Sequence, residues 1–186
     1  MELGAGAADA GNLFVITGGP GSGKSTLVGA LRDAGYCGSD EVGRQIIKDQ
    51  MSISGRALPW IDPALFAEMM LSWELRTYGA LAARPGPVFF DRGIPDVLGY
   101  LRLNDLPVPS HMEEAAALFR YSRRVFIAPP WPEIFAPDSE RKQTVEEAER
   151  TYHAMVSTYS DCDYELVVLP RSSVEDRLRF IVGTLG

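Results

Sequence analysis

The chain has 186 residues, 46% hydrophobic and 23% charged, which is typical of one globular domain long enough to bury a core. Its net charge is −7 at pH 7, and its Lys and Arg residues form no long stripe. This pattern argues against nucleic acid or an anionic membrane as the main partner. Two cysteines, Cys37 and Cys162, are too few for a disulfide framework or a zinc site.

The first residues do not resemble a secretion signal. Residues 1–11 are small and acidic, without a basic segment followed by an apolar one, and they predict a frayed tail. No apolar run approaches the ~18 residues that a membrane span needs. We therefore expect a cytoplasmic protein whose residues 12–186 form a single domain, with a lid segment near 132–145.

The first apolar run leads directly into a glycine-rich sequence. Residues 13–17 predict a short buried strand, and residues 18–25 match the pattern G-x-x-x-x-G-K-[ST]. In this pattern backbone N–H groups surround phosphate oxygens, the lysine reaches the β- and γ-phosphates, and the last hydroxyl ligates magnesium. We predict that a nucleotide's phosphates bind to Gly18, Gly19, Pro20, Gly21, Ser22, Gly23, Lys24, Ser25 and Thr26. The helix that follows adds its positive N-terminal end.

Further strands and helices alternate along the chain. Apolar runs at 36–39, 88–90, 125–128 and 166–169 predict strands, and their near-continuous hydrophobicity favours a parallel sheet covered on both faces. Helix start signals occur at Asp62-Pro63, Ser110, Thr144 and Ser173. In the helix after Pro63 we expect an apolar stripe formed by Leu65, Met69 and Trp73, with Phe66 and Met70 beside it. The alternation predicts an α/β sandwich with right-handed crossovers.

An acid lies at the end of the third predicted strand. The carboxyl ends of parallel strands face the crevice where α/β proteins bind ligands. Asp91 is therefore a candidate to hold magnesium or to take a proton from an attacking hydroxyl. The alternative is that Asp91 caps the helix that starts near Pro95. Arg92 either binds a substrate oxygen or pairs with Asp91.

A second acid follows the weak second strand. Glu41 and Arg44 are three residues apart on one helical face, where they can clamp a polar acceptor and position its hydroxyl. The alternative is a local surface salt bridge, and Asp40 is interpreted as a simple cap. Four aromatic residues either line an acceptor pocket near Glu41 or, as we favour, pack in the core: Phe66, Trp73, Tyr78 and Tyr100.

A polar segment follows the proline-rich loop 129–132. Residues 138–143 contain two adjacent cations, and closure of such a lid would place Arg141 over the transferring phosphate. The alternative is an exposed charged linker. Arg150 is a weaker candidate for the same role, and His111 and His153 are interpreted as surface residues.

With these pieces placed, the chain resembles the P-loop nucleoside and nucleotide kinase superfamily. More narrowly, it resembles the small predicted-ATPase, AAA-domain-like family that is grouped with nicotinamide riboside kinase domains. The matching stretches are Gly18–Thr26, Glu41–Arg44, Asp91–Gly93 with Asp96 and Tyr100, Pro129–Trp131, and Asp138–Gln143. The resemblance implies a three-layer α/β sandwich with a five-stranded parallel sheet in the order 2-3-1-4-5.

The resemblance also implies roles for single residues. The loop from Gly18 to Ser25 would bind ATP, with Ser25 and Asp91 on Mg²⁺. Arg141 would be the lid arginine. Glu41 would be the acid on the acceptor side, although Val42 stands where a proline often follows that acid.

Two functions are predicted from these patterns. The first is a Mg²⁺-dependent phosphotransferase that moves the ATP γ-phosphate to a nucleoside-, nucleotide- or metabolite-like acceptor. Lys24 and Arg141 would stabilise charge, Asp91 or Glu41 would act as the base, and Glu41, Arg44 and Arg92 would contact the acceptor. The second is a nucleotide-dependent switch whose lid and 50–60 loop recognise a protein or lipid. An Asn-Lys-x-Asp signature of guanine binding is missing from the sequence, which argues against a signalling GTPase.

Overall fold

The structure is a computed structural model that describes residues 11–134 and 144–185. The five strands are β1 (Leu13–Gly18), β2 (Cys37–Gly38), β3 (Val88–Asp91), β4 (Arg124–Ala128) and β5 (Glu165–Val168). The helices are α1 (Lys24–Asp33), α2 (Val42–Ser52), α3 (Pro63–Leu81), α4 (Ile94–Leu103), α5 (Ser110–Leu118), α6 (Val145–Asp161) and α7 (Val174–Thr184). A short 3-10 turn covers Pro132–Ile134.

The strands form one parallel sheet in the order β2-β3-β1-β4-β5, which confirms the predicted topology. Strand β1 lies in the centre, with Ile16 opposite Asp91 of β3 and opposite Phe126 of β4. The carboxyl ends of these strands therefore meet at one edge. The glycine-rich loop leaves β1 at that edge, and the ligand crevice of α/β sheets lies there.

Helices cover both faces of the sheet because the strand residues alternate between two apolar cores. Leu13 and Val15 point into the core that contains side chains of α3 to α6. Phe14 and Ile16 point into the opposite core, which α1 and α7 complete. A third, smaller cluster joins α2 to Leu58 and to Phe66 of α3, beside the carboxyl edge. This cluster supports one wall of the site described below.

Three details differ from the sequence predictions. Strand β5 is at the sheet's edge, so Val168 is exposed although its apolar run predicts full cover. Helix α5 begins at Ser110 with Pro109 at its N-cap, so the predicted cap at Ser110 is wrong by one residue. In α3, Leu65 and Trp73 are exposed, so the predicted apolar stripe is wrong.

The other helix starts follow the predicted chemistry. The Asp62 side chain accepts a hydrogen bond from the Leu65 amide, and Ser173 accepts one from the Asp176 amide. Thr144 forms a reciprocal capping box with Glu147 at the start of α6. Short side chains with oxygen acceptors satisfy N–H groups that have no partner inside a helix. No helix in the described ranges has the length and apolarity to cross a membrane.

Candidate active site

The glycine-rich loop joins β1 to α1 with little room for side chains. Gly18 has a φ of 131°, and a Cβ added there would collide with the backbone carbonyl of Ala128 in β4. Gly23, the N-cap of α1, adopts the left-handed conformation with a φ of 79°. Glycine takes both conformations without steric cost. The chain therefore curls tightly at the N-terminus of α1, where backbone N–H groups and the helix dipole favour an anion.

Lys24, the first residue of α1, folds back onto this loop. Its ammonium donates hydrogen bonds to the Gly19 carbonyl and to Ser22 Oγ, the latter at 3.2 Å. Burial, and then the Arg92 guanidinium, lower the pKa of Lys24 to about 7, against the opposing effects of Asp91, Glu41 and Asp96. A phosphate placed beside the ammonium would favour its charged form.

Arg177 of α7 supports the loop from behind, a contact that the sequence analysis missed. This side chain is 2% exposed. Its guanidinium donates hydrogen bonds to the Ser22 carbonyl and to the Pro170 carbonyl, both at 2.7 Å, and it lies over the Trp131 ring at 4.8 Å. The only signal in the sequence was an arginine among the apolar positions of the last helix.

Ser25 and Asp91 lie together at the carboxyl edge. Ser25 Oγ donates a 2.7 Å hydrogen bond to Asp91 Oδ2. Asp91 Oδ1 is buried and has no hydrogen-bond partner among the residues that the structure describes. Burial raises the pKa of Asp91, while Lys24 opposes the rise. Helix α4 begins after Gly93 and is capped by Asp96, so the alternative role of Asp91 as its cap is wrong.

This donor set fits magnesium. Mg²⁺ prefers oxygen ligands and is usually bound through one or two carboxylates together with substrate phosphates and waters. The pair of Ser25 and Asp91 offers a hydroxyl and a carboxylate, one oxygen of which has no other partner in the described residues. The residues that the structure describes contain no group of three or more His, Cys, Asp or Glu side chains that could hold a metal ion. A site built from these two residues therefore depends on ligands from the phosphates.

Glu41, Arg92 and Asp96 form a line of alternating charge in which Asp96 is buried and the other two side chains are 10–16% exposed. Arg92 donates to Asp96 Oδ1 at 3.0 Å, and its Nε lies 3.7 Å from Glu41 Oε1. Arg44 approaches the other Glu41 oxygen at 3.4 Å. Burial alone would lower the pKa of Arg92, but Asp96, Glu41 and Asp91 raise it above its ordinary value. The Glu41 side chain is 10% exposed and the Arg44 side chain 41%, so this local ion pair joins a largely buried acid to an exposed arginine.

Asp96 anchors this line. Its oxygens accept hydrogen bonds from the Thr17 hydroxyl at 2.6 Å, the Tyr159 hydroxyl at 2.6 Å and the Gly93 amide at 2.9 Å, besides Arg92. The partners come from β1, α6 and the turn before α4. In the sequence, Asp96 stands out only through the family resemblance, because its partners lie up to 79 residues away.

A cavity of about 720 Å³ lies beside the phosphate loop. Pro20 of the loop lines it, together with Glu41 and Arg92 of the charged line. Helices α2, α3, α4 and α6 supply most of its wall: Gly43, Ile47, Met51, Phe66, Met70, Glu74, Asp96, Val97, Tyr100, Leu103, Glu147, Arg150, Thr151 and Met155. Its volume lies in the range of pockets that enclose small ligands.

The structure separates the predicted site residues into groups. Phe66 and Tyr100 line the cavity in edge-on contact, whereas Trp73 is exposed and Tyr78 packs against Phe90 and Tyr121 in the core. Asp40 is not a cap, since Glu41 takes the N-cap position of α2 and Asp40 pairs with Arg32 at 2.8 Å.

The remaining predicted residues lie on the surface, in the cavity wall or outside the described part of the chain. His111 is exposed, as predicted, and contacts Glu68. Arg150 lines the cavity and approaches the Leu103 carbonyl at 3.5 Å. The predicted lid residue Arg141, and most of the lid segment near 132–145, lie outside the described residues, as does the predicted tail apart from Gly11.

Glu74 is a cavity residue that the sequence analysis did not single out. It is 4% exposed and lies on the same face of α3 as Phe66 and Met70, at a spacing of four residues. A charged residue on that buried stripe was the available signal. Burial, and then the charges of Asp96 and Asp91, raise the pKa of Glu74 to about 8.

The raised pKa of Glu74 predicts a pH-dependent stability. The folded state binds the proton of the Glu74 carboxyl group more tightly than the unfolded chain does. The resulting stabilisation of the fold is complete below about pH 4.5 and is lost as pH rises through about 8. The groups facing Glu74 are Asp96, Asp91, Arg92 and Tyr121. At about 1.4 kcal/mol per pKa unit, the loss amounts to several kcal/mol.

Urea unfolding of the wild type and of Glu74→Gln at pH 5 and pH 8.5 measures this loss. We expect the variant to gain stability relative to the wild type as the pH rises, whereas Glu149→Gln, on the exposed face of α6, should show no such trend. Equal pH trends for the wild type and Glu74→Gln would contradict the raised pKa.

The fold and the site define a class of protein. The sheet order, the phosphate loop and the buried acids at the carboxyl edge are those of the P-loop kinase fold. Residues 13–177 match the family model described as an AAA domain, and the chain belongs to this AAA-domain family. No curated protein matches the sequence.

Solved structures share this fold. A NadR protein in complex with NR aligns with a TM-score of 0.68 and 18% identity over 94% of this chain and 50% of that one, so the chain spans half the length of NadR. A thymidylate kinase from Ehrlichia chaffeensis aligns with a TM-score of 0.61 and 14% identity, covering 94% and 98% of the two chains. A deoxyadenosine kinase from M. mycoides with bound dATP aligns at 0.55 and 15%, covering 93% and 98%.

Proposed function

We propose that the protein is a Mg²⁺-dependent phosphotransferase that moves the γ-phosphate of ATP to a hydroxyl or phosphate of a small molecule. One observation carries the proposal: the phosphate loop adjoins a cavity of about 720 Å³ whose wall contains a largely buried acid, Glu41, held beside Arg92. Hydrolysis of ATP alone needs no such pocket. The structural neighbours named as kinases of nucleosides and nucleotides agree with this reaction class.

The two candidate acids are assigned different tasks. Asp91 accepts a hydrogen bond from Ser25, so it belongs to the magnesium side, where Mg²⁺ would offset negative charge on the phosphates. Glu41 lines the cavity, so it belongs to the acceptor side. We assign it as the base that takes the acceptor's hydroxyl proton while the hydroxyl oxygen bonds to the γ-phosphorus and ADP leaves.

The cations complete this assignment. Lys24 neutralises charge on the β- and γ-phosphates, and Arg92 orients Glu41 and contacts the acceptor. Arg44, bound to the second oxygen of Glu41, fixes the acid from its other side. The proposed lid role of Arg141 stays a prediction from the sequence.

ADP release from Mg·ATP, measured with and without pools of nucleosides, nucleotides and small metabolites, tests the function. One pool should stimulate ADP release strongly. Glu41→Gln should reduce the stimulated rate by about 10²–10⁴-fold while the affinity for ATP stays unchanged. Glu68→Gln, an exposed substitution on α3, is the control. A Glu41→Gln variant that keeps its stimulation would contradict the base assignment.

A second candidate function rests on a different observation. Exposed apolar side chains concentrate at the end of α2, in the loop before α3 and in the first turn of α3: Met51, Ile53, Trp60, Ile61 and Leu65. Exposed apolar patches mark interaction surfaces. This patch favours the alternative of a nucleotide-dependent switch that recognises a protein or lipid. Release of ADP at a slow rate that no pool changes, together with clear nucleotide binding, would support that alternative.

A further inference from the structure

Glu74 is the buried acid of the cavity to which the proposed reaction gives no task. It is 4% exposed and lines the cavity from α3. Within residues 11–134 and 144–185, no hydrogen bond or ion pair joins its carboxyl group to another side chain or to the backbone. Its carboxyl oxygens are not among the fully buried polar atoms that lack a partner, so they are open to the cavity, where a donor on a bound ligand can reach them.

The neighbouring acids differ from Glu74 in this respect. Asp96 accepts four hydrogen bonds, and Glu41 is paired with Arg92 and Arg44. These acids are therefore held by the protein itself. Glu74 alone among the three offers both carboxyl oxygens to the cavity's contents.

The charges around Glu74 indicate what those contents carry. Asp96 and Asp91 act on Glu74 from α4 and β3, and Arg92 only partly offsets them. The phenol of Tyr121, which is also buried, faces it too. The potential at this wall is thus negative, and it favours the positive end of an N–H bond or an ammonium over a carbonyl oxygen.

The rest of the wall suits a flat or compact organic body. Phe66 and Tyr100 meet edge-on at 5.4 Å, and Trp60 and Met70 extend the apolar surface. A volume of about 720 Å³ holds a molecule of nucleoside size. A few polar groups placed in an apolar pocket fix the orientation and the identity of its ligand.

We propose that Glu74 is the acceptor-specificity residue, whose carboxylate accepts hydrogen bonds from an amino group that the acceptor carries into the cavity. This inference rests on the proposed function and names the acceptor's chemistry. The amino group is either a neutral one on an aromatic ring or a protonated aliphatic one. An isosteric acceptor with a carbonyl in that place leaves Glu74 without a donor and is rejected, whereas one with a hydroxyl offers a single donor without positive charge and is bound less well.

Matched pairs of probes test the inference: cytidine with uridine, adenosine with inosine, and glucosamine with glucose. The first two pairs represent a ring amino group and the third an aliphatic ammonium. For each pair we measure kcat/KM by ADP release at pH 9, where Glu74, with its pKa of about 8, is ionised, and the dissociation constant in the presence of a non-hydrolysable ATP analogue. In at least one pair the wild type should favour the amino member by about 10–10²-fold. Glu74→Gln should reduce that ratio about tenfold or more with the KM for ATP unchanged.

Two controls separate recognition from structure. Glu149→Gln should keep the wild-type ratio, and circular dichroism should show that Glu74→Gln is folded. A purely structural Glu74 would lower both members of a pair alike. Equal use of both members, a preference for the carbonyl member, a preference that survives Glu74→Gln, or no binding of any amino member would each overturn the inference.

The two proposals fail in different ways. A Glu74-dependent binding preference without phosphoryl transfer would contradict the phosphotransferase and support the amino-group site. Phosphoryl transfer without a Glu74-dependent preference would contradict the amino-group site alone.

Discussion

Lys24→Met should lower kcat by about 10²–10³-fold, the effect of removing one preorganised charge-stabilising group from a phosphoryl- or acyl-transfer site. The ammonium is buried in the loop, on the Gly19 carbonyl and Ser22 Oγ, so no other lysine can replace it. Methionine keeps most of the length of the side chain and removes the charge. Acceptor-stimulated ADP release and ATP binding by calorimetry measure the two consequences separately.

Lys48→Met is the matched control for this substitution. Lys48 lies in α2 with an exposed side chain, and it is the other lysine in the described part of the chain. We expect its removal to leave turnover within about twofold, because surface substitutions rarely have large effects. Full ATP affinity together with full turnover in Lys24→Met would overturn the assignment of the phosphate loop.

Asp96→Ala should destabilise the fold by about 3–5 kcal/mol, the range for breaking a buried ion pair on one side. The substitution leaves the Arg92 guanidinium buried without its nearest carboxylate, and it removes the acceptor of the Thr17 and Tyr159 hydroxyl groups. It also removes the cap of α4. Urea unfolding at pH 7, followed by circular dichroism, measures the loss.

An exposed pair of the same chemistry serves as its control. Asp161 accepts a 2.6 Å hydrogen bond from Arg102, but both side chains reach solvent. Asp161→Ala should cost less than about 1 kcal/mol, as surface ion pairs do. If the two substitutions cost the same, Asp96 does not anchor the site through its buried contacts.

Most of the fold could be predicted from local sequence patterns. The phosphate loop, three of the four helix caps and the five strands each follow from residues close together in the sequence. The errors occur where burial depends on distant chain segments. In α3, Phe66 and Glu74 face inward, whereas Leu65 and Trp73 face solvent. The helices that pack against α3 decide this, not the helical spacing itself.

The candidate site divides in the same way. The sequence by itself determined the phosphate-binding loop and placed acids at the ends of β2 and β3, because backbone conformation and strand direction are local properties. Only the tertiary structure decided that Asp91 joins Ser25, that Glu41 faces the cavity, and that Glu74 lies there without a partner in the described chain. Their contacts span many tens of residues, and neither burial nor a shift in pKa exists before the chain segments meet.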